Sequence, residues 1–182
     1  MSQKVNAKEF YELSKNISII DVRSPKEFET GHIPGAHNVP IFTNDERAIV
    51  GTLYKNSGSE GAVLNGLEIV GNKLRLFAET SRKLAKKNKL LVHCWRGGMR
   101  SRSFAGHLQK NGFTQIYLII GGYKAFRNHV LKFFEHRFNL RILGGFTGSG
   151  KTYTLKKIKE FGEQVVDLEA IAHHKGSAFG TI

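Results

Sequence analysis

The single cysteine of this chain lies where an apolar segment runs into a glycine-containing loop. Cys94 follows the apolar run 90–92 and precedes Gly97 and Gly98, and a helical pattern begins at Ser101. A strand that leads through such a loop into a helix is the repeating unit of α/β folds with parallel sheets. The backbone N–H groups of the loop, together with the helix N-terminus behind them, favour an anion near the sulfur. The sequence therefore predicts an α/β fold with an anion-binding loop around a thiol.

The residues around the cysteine favour a reactive thiolate. Three guanidinium groups, those of Arg96, Arg100 and Arg102, lie within a few residues of Cys94, and positive charge stabilises a thiolate. A buried structural cysteine is the alternative, but paired glycines and clustered arginines are not typical of one. The predicted catalytic residues are Cys94, Arg96 and Arg100, and the predicted anion-binding loop also contains Trp95, Gly97, Gly98, Met99 and Ser101.

Length and cysteine content limit the class of protein. A chain of 182 residues can form one large domain, or one domain and part of another. It contains no apolar run near the roughly 20 residues that span a bilayer, and its first residues lack the apolar core of a signal peptide. One cysteine allows no internal disulfide, which is typical of a reducing compartment. We therefore expect a cytoplasmic location and no membrane partner.

The net charge of +13 is concentrated in one part of the chain. Between Thr80 and Glu160 the only acidic residues are Glu135 and Glu160 itself, whereas lysines and arginines are frequent. We call this segment, from Arg82 to Lys159, the basic band. Such a charge distribution attracts phosphate-bearing partners, and it favours a nucleic acid over solvated helix faces alone.

Hydrophobic periodicity predicts alternating strands and helices, with a central parallel sheet. Strands are predicted at 17–22, 36–40, 89–93, 115–120, 140–143 and 164–167. Helices are predicted at 7–15, 44–54, 62–87, 101–111, 123–138 and 151–161, with one turn at 25–28 and a polar break at 57–61. The predicted domains are a first α/β domain over 1–128, a connecting helix over 129–139 and an incomplete domain over 140–182.

The incomplete domain begins with a phosphate-binding motif. Residues 145–152 fit the pattern G-x4-G-K-T, after a predicted strand and before a predicted helix. The predicted phosphate-binding residues are Gly145, Gly148, Gly150, Lys151 and Thr152. Thr152 and Asp167 are candidate Mg²⁺ ligands, whereas His173 and His174 have no further ligands at useful spacing, so no resident metal is predicted. A P-loop domain needs more strands than follow here, and we expect this chain to be a fragment.

Three separated segments resemble the rhodanese family. They are residues 21–28 with 31–40, the cysteine loop, and residues 121–126. The resemblance covers about residues 5–128 and implies a central parallel sheet and a thiolate that carries sulfur or selenium as a persulfide or perselenide. The loop is one residue longer than in ordinary sulfurtransferases, and Cys94-x5-Arg100 is also the phosphate-binding pattern of cysteine phosphatases. A sulfurtransferase and a phosphatase or arsenate reductase therefore stay open as alternatives.

The order of the two domains resembles the tRNA 2-selenouridine synthase family. The residues that carry this resemblance are 51–55, 94–101, 145–152 and 167–180. It implies replacement of sulfur by selenium in the wobble 2-thiouridine of tRNA, with selenophosphate as donor and an S-geranylated intermediate made from geranyl diphosphate. Cys94 would handle the chalcogen, Arg96 and Arg100 would bind selenophosphate, and the P-loop would bind a diphosphate. The implied partners are tRNA through the basic band, selenophosphate and its synthase.

Three further residues have two interpretations each. Asp21 and Arg23 either brace the cysteine loop from the neighbouring strand or serve only the core. Trp95 either stacks on a base or packs over the loop.

Overall fold

The computed structural model describes residues 2–173. Backbone contacts divide the chain into two compact units, which meet in sequence between His136 and Arg137. The first unit contains all five strands and six of the eight helices of the described residues. Within residues 2–173, no helix is both long and apolar enough to cross a membrane.

The first unit alternates strands and helices along the chain. Its strands are β1 (Gln3–Val5), β2 (Ile19–Asp21), β3 (Ala36–Asn38), β4 (Lys89–His93) and β5 (Gln115–Ile119). Its helices are α1 (Ala7–Ser14), α2 (Pro25–Glu29), α3 (Asn44–Gly71), α4 (Leu74–Leu84), α5 (Met99–Lys110) and α6 (Gly122–Phe133).

The five strands form one parallel sheet in the order β1-β5-β4-β2-β3. Two apolar clusters cover its two faces. On one face, Phe77 of α4 and Phe104 of α5 pack with strand residues such as Val92. On the other, Phe10 of α1 and Phe126 of α6 pack with Leu91 and others. Adjacent residues of β4 thus face opposite layers, as a strand buried on both faces requires. The predicted α/β fold with a central parallel sheet is confirmed.

Three helices of this unit begin with the same reciprocal cap. The side chains of Asn6, Ser24 and Thr43 accept a hydrogen bond from the third helical N–H, and the glutamate at that position accepts one from the cap residue. This capping box satisfies two donors that a helix start leaves free. It fixes where α1, α2 and α3 begin.

The structure differs from the sequence prediction at several boundaries. Strand β1 was not predicted, because three residues are too few to show alternation; it pairs with β5 at the sheet edge. The predicted break at 57–61 is a single kink at Gly58 (φ 74°, ψ −164°) within α3. Helix α6 ends at Phe133, five residues before the predicted end.

The second unit contains α7 (Lys151–Glu160) and α8 (Leu168–Ile171) in its described part, residues 137–173. The strands predicted at 140–143 and 164–167 are wrong, because the structure has no strand in this part of the unit. A strand requires a hydrogen-bonded neighbour, and none of these residues supplies one. Ile142 is accordingly 94% exposed despite its apolar side chain. The predicted helix over 151–161 is confirmed as α7.

Candidate active site around Cys94

Cys94 lies one residue beyond the end of β4, at the carboxyl edge of the sheet. The side chain is only 3% exposed, and its Sγ lies 3.3 Å from Oγ of Ser101. Ser101 is fully buried in the first turn of α5, and its Oγ also lies 3.3 Å from the carbonyl oxygen of Gly98. Because α5 begins at Met99, the helix brings this hydroxyl back to the sulfur. The two residues predicted from the strand–loop–helix pattern are therefore in contact.

The turn after β5, which contains Gly121 and Gly122, leads into backbone N–H groups that hold the cysteine loop. The N–H of Tyr123 donates to the carbonyl of Cys94 at 2.9 Å, and the N–H of Lys124 donates to the carbonyl of Trp95 at 3.1 Å. Gly122 has φ +63°, and a Cβ there would overlap the carbonyl oxygen of Cys94. Gly97 has φ +65°, and its Cβ would lie 2.7 Å from a carbonyl oxygen of β5. Only glycine allows these two turns to approach so closely.

A buried ion pair lies behind the loop. Arg23 donates through Nη2 to Oδ2 of Asp21 at 2.6 Å and through Nε at 3.0 Å, and both side chains are fully buried. The guanidinium of Arg23 also lies 4.1 Å from the ring centroid of Tyr123 and 5.7 Å from that of Trp95. Such cation–aromatic contacts stabilise a desolvated guanidinium. The geometry therefore favours the bracing interpretation of Asp21 and Arg23.

His93 completes this buried cluster. Its Nε2 lies 3.6 Å from Oδ2 of Asp21, the residue that pairs with it in the β2–β4 register. Burial lowers the pKa of His93 to about 4, although the Asp21 carboxylate opposes this shift. The ring is therefore neutral at physiological pH. The sequence did not identify His93 as part of the site.

The two predicted catalytic arginines have different surroundings. Arg100 donates to Glu27 through Nη1 at 2.7 Å and through Nη2 at 3.3 Å. Arg96 is exposed and, among residues 2–173, takes part in no ion pair. Glu27 was not predicted as a site residue, because its position in the capping box of α2 already explained it. Glu27 and Arg100 are 73 positions apart, so the sequence alone does not show that they are in contact.

A large cavity adjoins Cys94 on the α5 side of the sheet. Its volume is about 1310 Å³, and α3, α4 and α5 supply most of its walls. The predicted site residues Cys94, Trp95, Arg96, Gly98, Met99 and Arg100 line it, together with Glu27. Away from these residues the lining includes Phe42, Ala62, Val70, Phe77 and Phe104. The cavity thus has a charged part beside the cysteine and an apolar part between the helices.

A smaller cleft of about 330 Å³ lies on the α6 side of the same loop. It is lined by Trp95, Arg96, Lys124, Arg127, Asn128 and Leu131. Within the described residues, none of its three cations forms an ion pair. We call this feature the cationic cleft. Trp95 and Arg96 line both the cavity and the cleft, so the loop residues after Cys94 stand between them.

The predicted phosphate-binding residues lie in the second unit. Lys151 is the first residue of α7, and its Nζ donates to the carbonyls of Gly145 and Phe146 at 2.9 Å each. Gly148 and Gly150 have φ values of +82° and +80°. These two glycines form the tight turn ahead of α7. The exposed Thr152 follows Lys151 in the first turn.

Asp167, one of the two candidate Mg²⁺ ligands, has a structural role at a helix start. The carboxylate of Asp167 accepts from the N–H of Ala170 at 3.0 Å, as the N-cap of α8. No group of three or more His, Cys, Asp or Glu side chains suited to a metal lies within residues 2–173. His174 and the resemblance-carrying residues 175–180 lie outside the described residues.

Comparison with known proteins assigns the first unit. Residues 6–129 match the family model for the rhodanese-like domain. The chain belongs to the rhodanese-like domain family. Residues 138–182 match a second family model, the tRNA 2-selenouridine synthase AAA domain, so the predicted resemblance to that family is confirmed for this part of the chain.

The chain is also similar to curated proteins over most of its own length. The chain is 45% identical to a tRNA 2-selenouridine synthase of Bdellovibrio bacteriovorus over 91% of its own length and 44% of that protein. It is 40% identical to one of Hydrogenovibrio crunogenus, over 91% of this chain and 47% of that protein. The chain therefore spans less than half of the length of these relatives.

One solved structure is similar to the rhodanese-like domain in sequence as well as fold. It is the N-terminal domain of a putative ATP/GTP binding protein from Clostridium difficile 630, with 35% identity and a TM-score of 0.62. The match covers 72% of this chain and 99% of that one.

Proposed function

We propose that this chain is part of a tRNA 2-selenouridine synthase, a transferase that replaces the sulfur of wobble 2-thiouridine with selenium. The observation that carries the proposal is the position of the Cys94 loop: Cys94 lines a cavity with a charged end, and the next residues, Trp95 and Arg96, line both this cavity and the cationic cleft. The names of relatives at 45% and 40% identity support the same activity. A plain sulfurtransferase needs neither the cleft nor the P-loop.

In the proposed reaction Cys94 is the thiolate that handles the chalcogen. The hydroxyl of Ser101 lies 3.3 Å from Sγ and 3.3 Å from the carbonyl oxygen of Gly98, and it would donate its hydrogen to the thiolate once that forms. Arg96 is an unpaired cation within reach of an anion at the charged end of the cavity, and Arg100 lines the same end. These groups suit the phosphate oxygens of selenophosphate, because guanidinium groups bind such oxyanions in bidentate fashion. Selenophosphate synthase is then the expected supplier of the donor.

The cationic cleft supports tRNA as the substrate. Its three cations match the phosphates of a polynucleotide, and Trp95 offers a ring on which a base can stack. Because Trp95 also contacts Tyr123, at 5.7 Å between ring centroids, it packs over the loop with one part of its surface. The remainder faces the cavity and cleft.

The P-loop would hold a diphosphate, as in the S-geranylation of 2-thiouridine by geranyl diphosphate. Lys151 already contacts two carbonyls of the loop, and an anion would replace these partners with its own oxygens. Mg²⁺ would find the hydroxyl of Thr152 at the start of α7, where it would neutralise the diphosphate charge.

The decisive experiment uses the full-length gene product with a 2-thiouridine anticodon stem-loop, geranyl diphosphate and selenophosphate. Nucleoside mass spectrometry should detect 2-selenouridine, and Cys94→Ser should abolish it. Lys151→Ala should block formation of the S-geranyl nucleoside but leave selenation of a pre-geranylated stem-loop. Selenation by Cys94→Ser would contradict the proposal. Turnover of aryl phosphate that is lost in Arg100→Ala would instead favour the phosphatase alternative.

A further inference from the structure

A lysine-rich turn lies at the edge of the sheet opposite to Cys94. Lys86, Lys87 and Lys89 surround Asn88 in the tight turn between α4 and β4, and the N–H of Lys89 donates to the carbonyl of Lys86 at 3.1 Å. We call this feature the lysine turn. Because Lys89 begins β4 and Cys94 follows its last residue, about 16 Å of strand separates the turn from the cysteine. The lysine turn therefore lies outside the site described above.

The positive charge of the lysine turn is not neutralised by neighbouring carboxylates. Among residues 2–173, none of its three lysines forms an ion pair. The segments that lead into the flanking strands β2 and β5, residues 16–18 and 112–114, contain no acidic residue. Residues 80–134 contain none either. An anionic partner at this edge therefore meets uncompensated positive charge.

The ends of two helices add cations to the same edge. Because α5 connects the parallel strands β4 and β5, it returns to the edge at which both begin. Nη2 of Arg82, in the last turn of α4, donates to the carbonyl of Asn111 just after α5, so α4 ends there too. Lys83 and Lys110 lie in these last turns, where the helix carbonyls already favour a cation. The lysines of the turn lie outside both helices and need a different explanation.

The backbone of the turn favours residues other than lysine. Lys87 has φ +52° and Asn88 has φ +57°. Two-residue turns with positive φ at both positions usually contain asparagine followed by glycine, because a larger side chain is unfavourable in the left-handed region. A turn that only connects α4 to β4 would favour asparagine or glycine at position 87. Lysine there has a conformational cost, which is typical of positions whose side chain binds a ligand.

The chemistry of the turn suits a phosphate backbone better than a protein surface. Protein–protein interfaces have apolar centres and are depleted in lysine, whereas residues 86–89 are three lysines and one asparagine. Phosphate oxygens of nucleic acids are commonly bound by lysine and asparagine side chains. A tRNA is much larger than its wobble nucleotide, so its backbone can reach a second surface while that nucleotide lies near Cys94.

We propose that the lysine turn binds the phosphate backbone of the substrate tRNA outside the anticodon stem-loop. The proposal rests on the function proposed above and adds a second RNA-binding surface to the cationic cleft. The cleft adjoins the cysteine loop and serves the anticodon stem-loop, which contains the reacting nucleotide. The lysine turn, about 16 Å away along β4, binds another part of the same molecule. The enzyme therefore binds whole tRNA more tightly than the isolated stem-loop.

A double substitution tests this proposal in the full-length gene product. Lys86→Gln with Lys87→Asn removes two charges and keeps the turn, because asparagine tolerates a positive φ better than lysine. Fluorescence anisotropy should show at least fivefold weaker binding of whole tRNA, and a slope of log K against log salt reduced by about two. Binding of the isolated anticodon stem-loop should stay within twofold. Unchanged tRNA affinity, or equal weakening for both RNAs, would overturn the proposal.

Lys8→Gln is the matched control. Lys8 is exposed on α1, in the opposite layer, and forms no ion pair within the described part of the chain, but Glu9 and Glu12 follow it on the same helix. It should change neither tRNA affinity nor the salt slope. A loss in Lys8→Gln as large as in the double variant would show that only net charge matters and would overturn the proposal.

Folding of the double variant is checked by thermal unfolding, and its melting temperature should equal or exceed that of the wild type. If it does not fold, Lys87→Asn alone decides: the salt slope for whole tRNA should decrease by about one, and an unchanged slope would overturn the proposal. Poly-glutamate tests the other class of partner. If the lysine turn is needed for binding of poly-glutamate but not of tRNA, the proposal is overturned in favour of an acidic protein.

The mass-spectrometric assay separates this inference from the proposed function. Wild type and double variant should both form 2-selenouridine in the isolated stem-loop. Binding of tRNA that depends on the lysine turn, without any 2-selenouridine, would support the surface and contradict the selenation. Selenation with tRNA binding that does not depend on the turn would do the reverse.

Discussion

Arg100 and Glu27 form an ion pair with two hydrogen bonds, Nη1–Oε2 at 2.7 Å and Nη2–Oε1 at 3.3 Å, at the charged end of the cavity beside Cys94. The pair joins α2 to α5. Burial raises the pKa of Glu27, but the hydrogen bond and charge of Arg100 outweigh burial and lower it overall. Glu27 is therefore ionised at neutral pH and offsets one positive charge of the proposed anion site.

Neutralising Glu27 should strengthen anion binding. Glu27→Gln keeps the capping box of α2, because glutamine can replace glutamate in it, but it removes the negative charge next to Arg100. We expect phosphate, measured by isothermal titration calorimetry, to bind about threefold to tenfold more tightly. Glu46→Gln is the matched control, since Glu46 also closes a capping box and pairs with a cation, Lys73, but lies outside the cavity lining. If Glu27→Gln and Glu46→Gln bind phosphate with the same affinity, the prediction is contradicted.

His93 should make the protein less stable in mild acid. The unfolded histidine has a pKa near 6.5 and the folded one about 4, so the unfolded state binds more protons between these values. Stability is therefore fully present above pH 6.5 and falls as pH decreases toward 4. The free energy of unfolding in urea should decrease by roughly 2 kcal/mol between pH 7.5 and pH 5.

His93→Phe is the test variant for this prediction. It keeps a ring against Phe10 and Tyr123, which lie 6.2 and 6.4 Å away between ring centroids, but cannot titrate. Its unfolding free energy should be nearly independent of pH over the same interval. A slope equal to that of the wild type would assign the pH dependence to other groups.

The glycine pair after β5 should be essential for the geometry of the cysteine loop. Gly122→Ala introduces a Cβ against the carbonyl of Cys94, in addition to the cost of a positive φ. We expect a loss of more than 2 kcal/mol of stability and faster alkylation of Cys94 by iodoacetamide, because the displaced loop exposes the sulfur. Gly112→Ala is the control: it has φ +88° but no atom near the added Cβ, so it should lose only about 1 kcal/mol with unchanged alkylation.

Much of this site could be predicted from local sequence. Cys94 and Ser101 are seven residues apart, and a strand–loop–helix unit necessarily brings them together. The same reasoning found the arginines of the loop. It could not find Glu27 or His93, because their roles depend on contacts between elements that are distant in sequence, and because burial rather than residue type gives His93 its low pKa.

The wrong strand predictions have a different physical cause. The apolar run at 140–143 has the composition of a buried strand, but composition does not supply the neighbouring strand that must accept its hydrogen bonds. The described residues 137–173 supply none, and Ile142 is left exposed. By contrast, 89–93 is a strand because β2 and β5 flank it.

Ser101 should control the reactivity of Cys94. Its hydroxyl lies 3.3 Å from Sγ, and a hydroxyl donates a stronger hydrogen bond to an ionised acceptor than to a neutral one. Ser101→Ala should therefore slow alkylation of Cys94 at pH 7 by about threefold to tenfold. Ser103→Ala, on an exposed position of the same helix, is the control and should not change the rate. Equal rates for all three proteins would show that the hydroxyl has no such effect.

The cationic cleft should contribute to RNA affinity in a salt-dependent way. Arg127 lines the cleft and forms no ion pair among residues 2–173, so a phosphate that it contacts releases a counterion. Arg127→Gln should weaken binding of an anticodon stem-loop several-fold and reduce the slope of log K against log salt by about one. Arg75→Gln is the control, because Arg75 lies on α4 in the opposite layer and is paired with Glu79 at 2.7 Å. Fluorescence anisotropy at several salt concentrations gives both quantities, and identical slopes for wild type and Arg127→Gln would exclude a phosphate contact in the cleft.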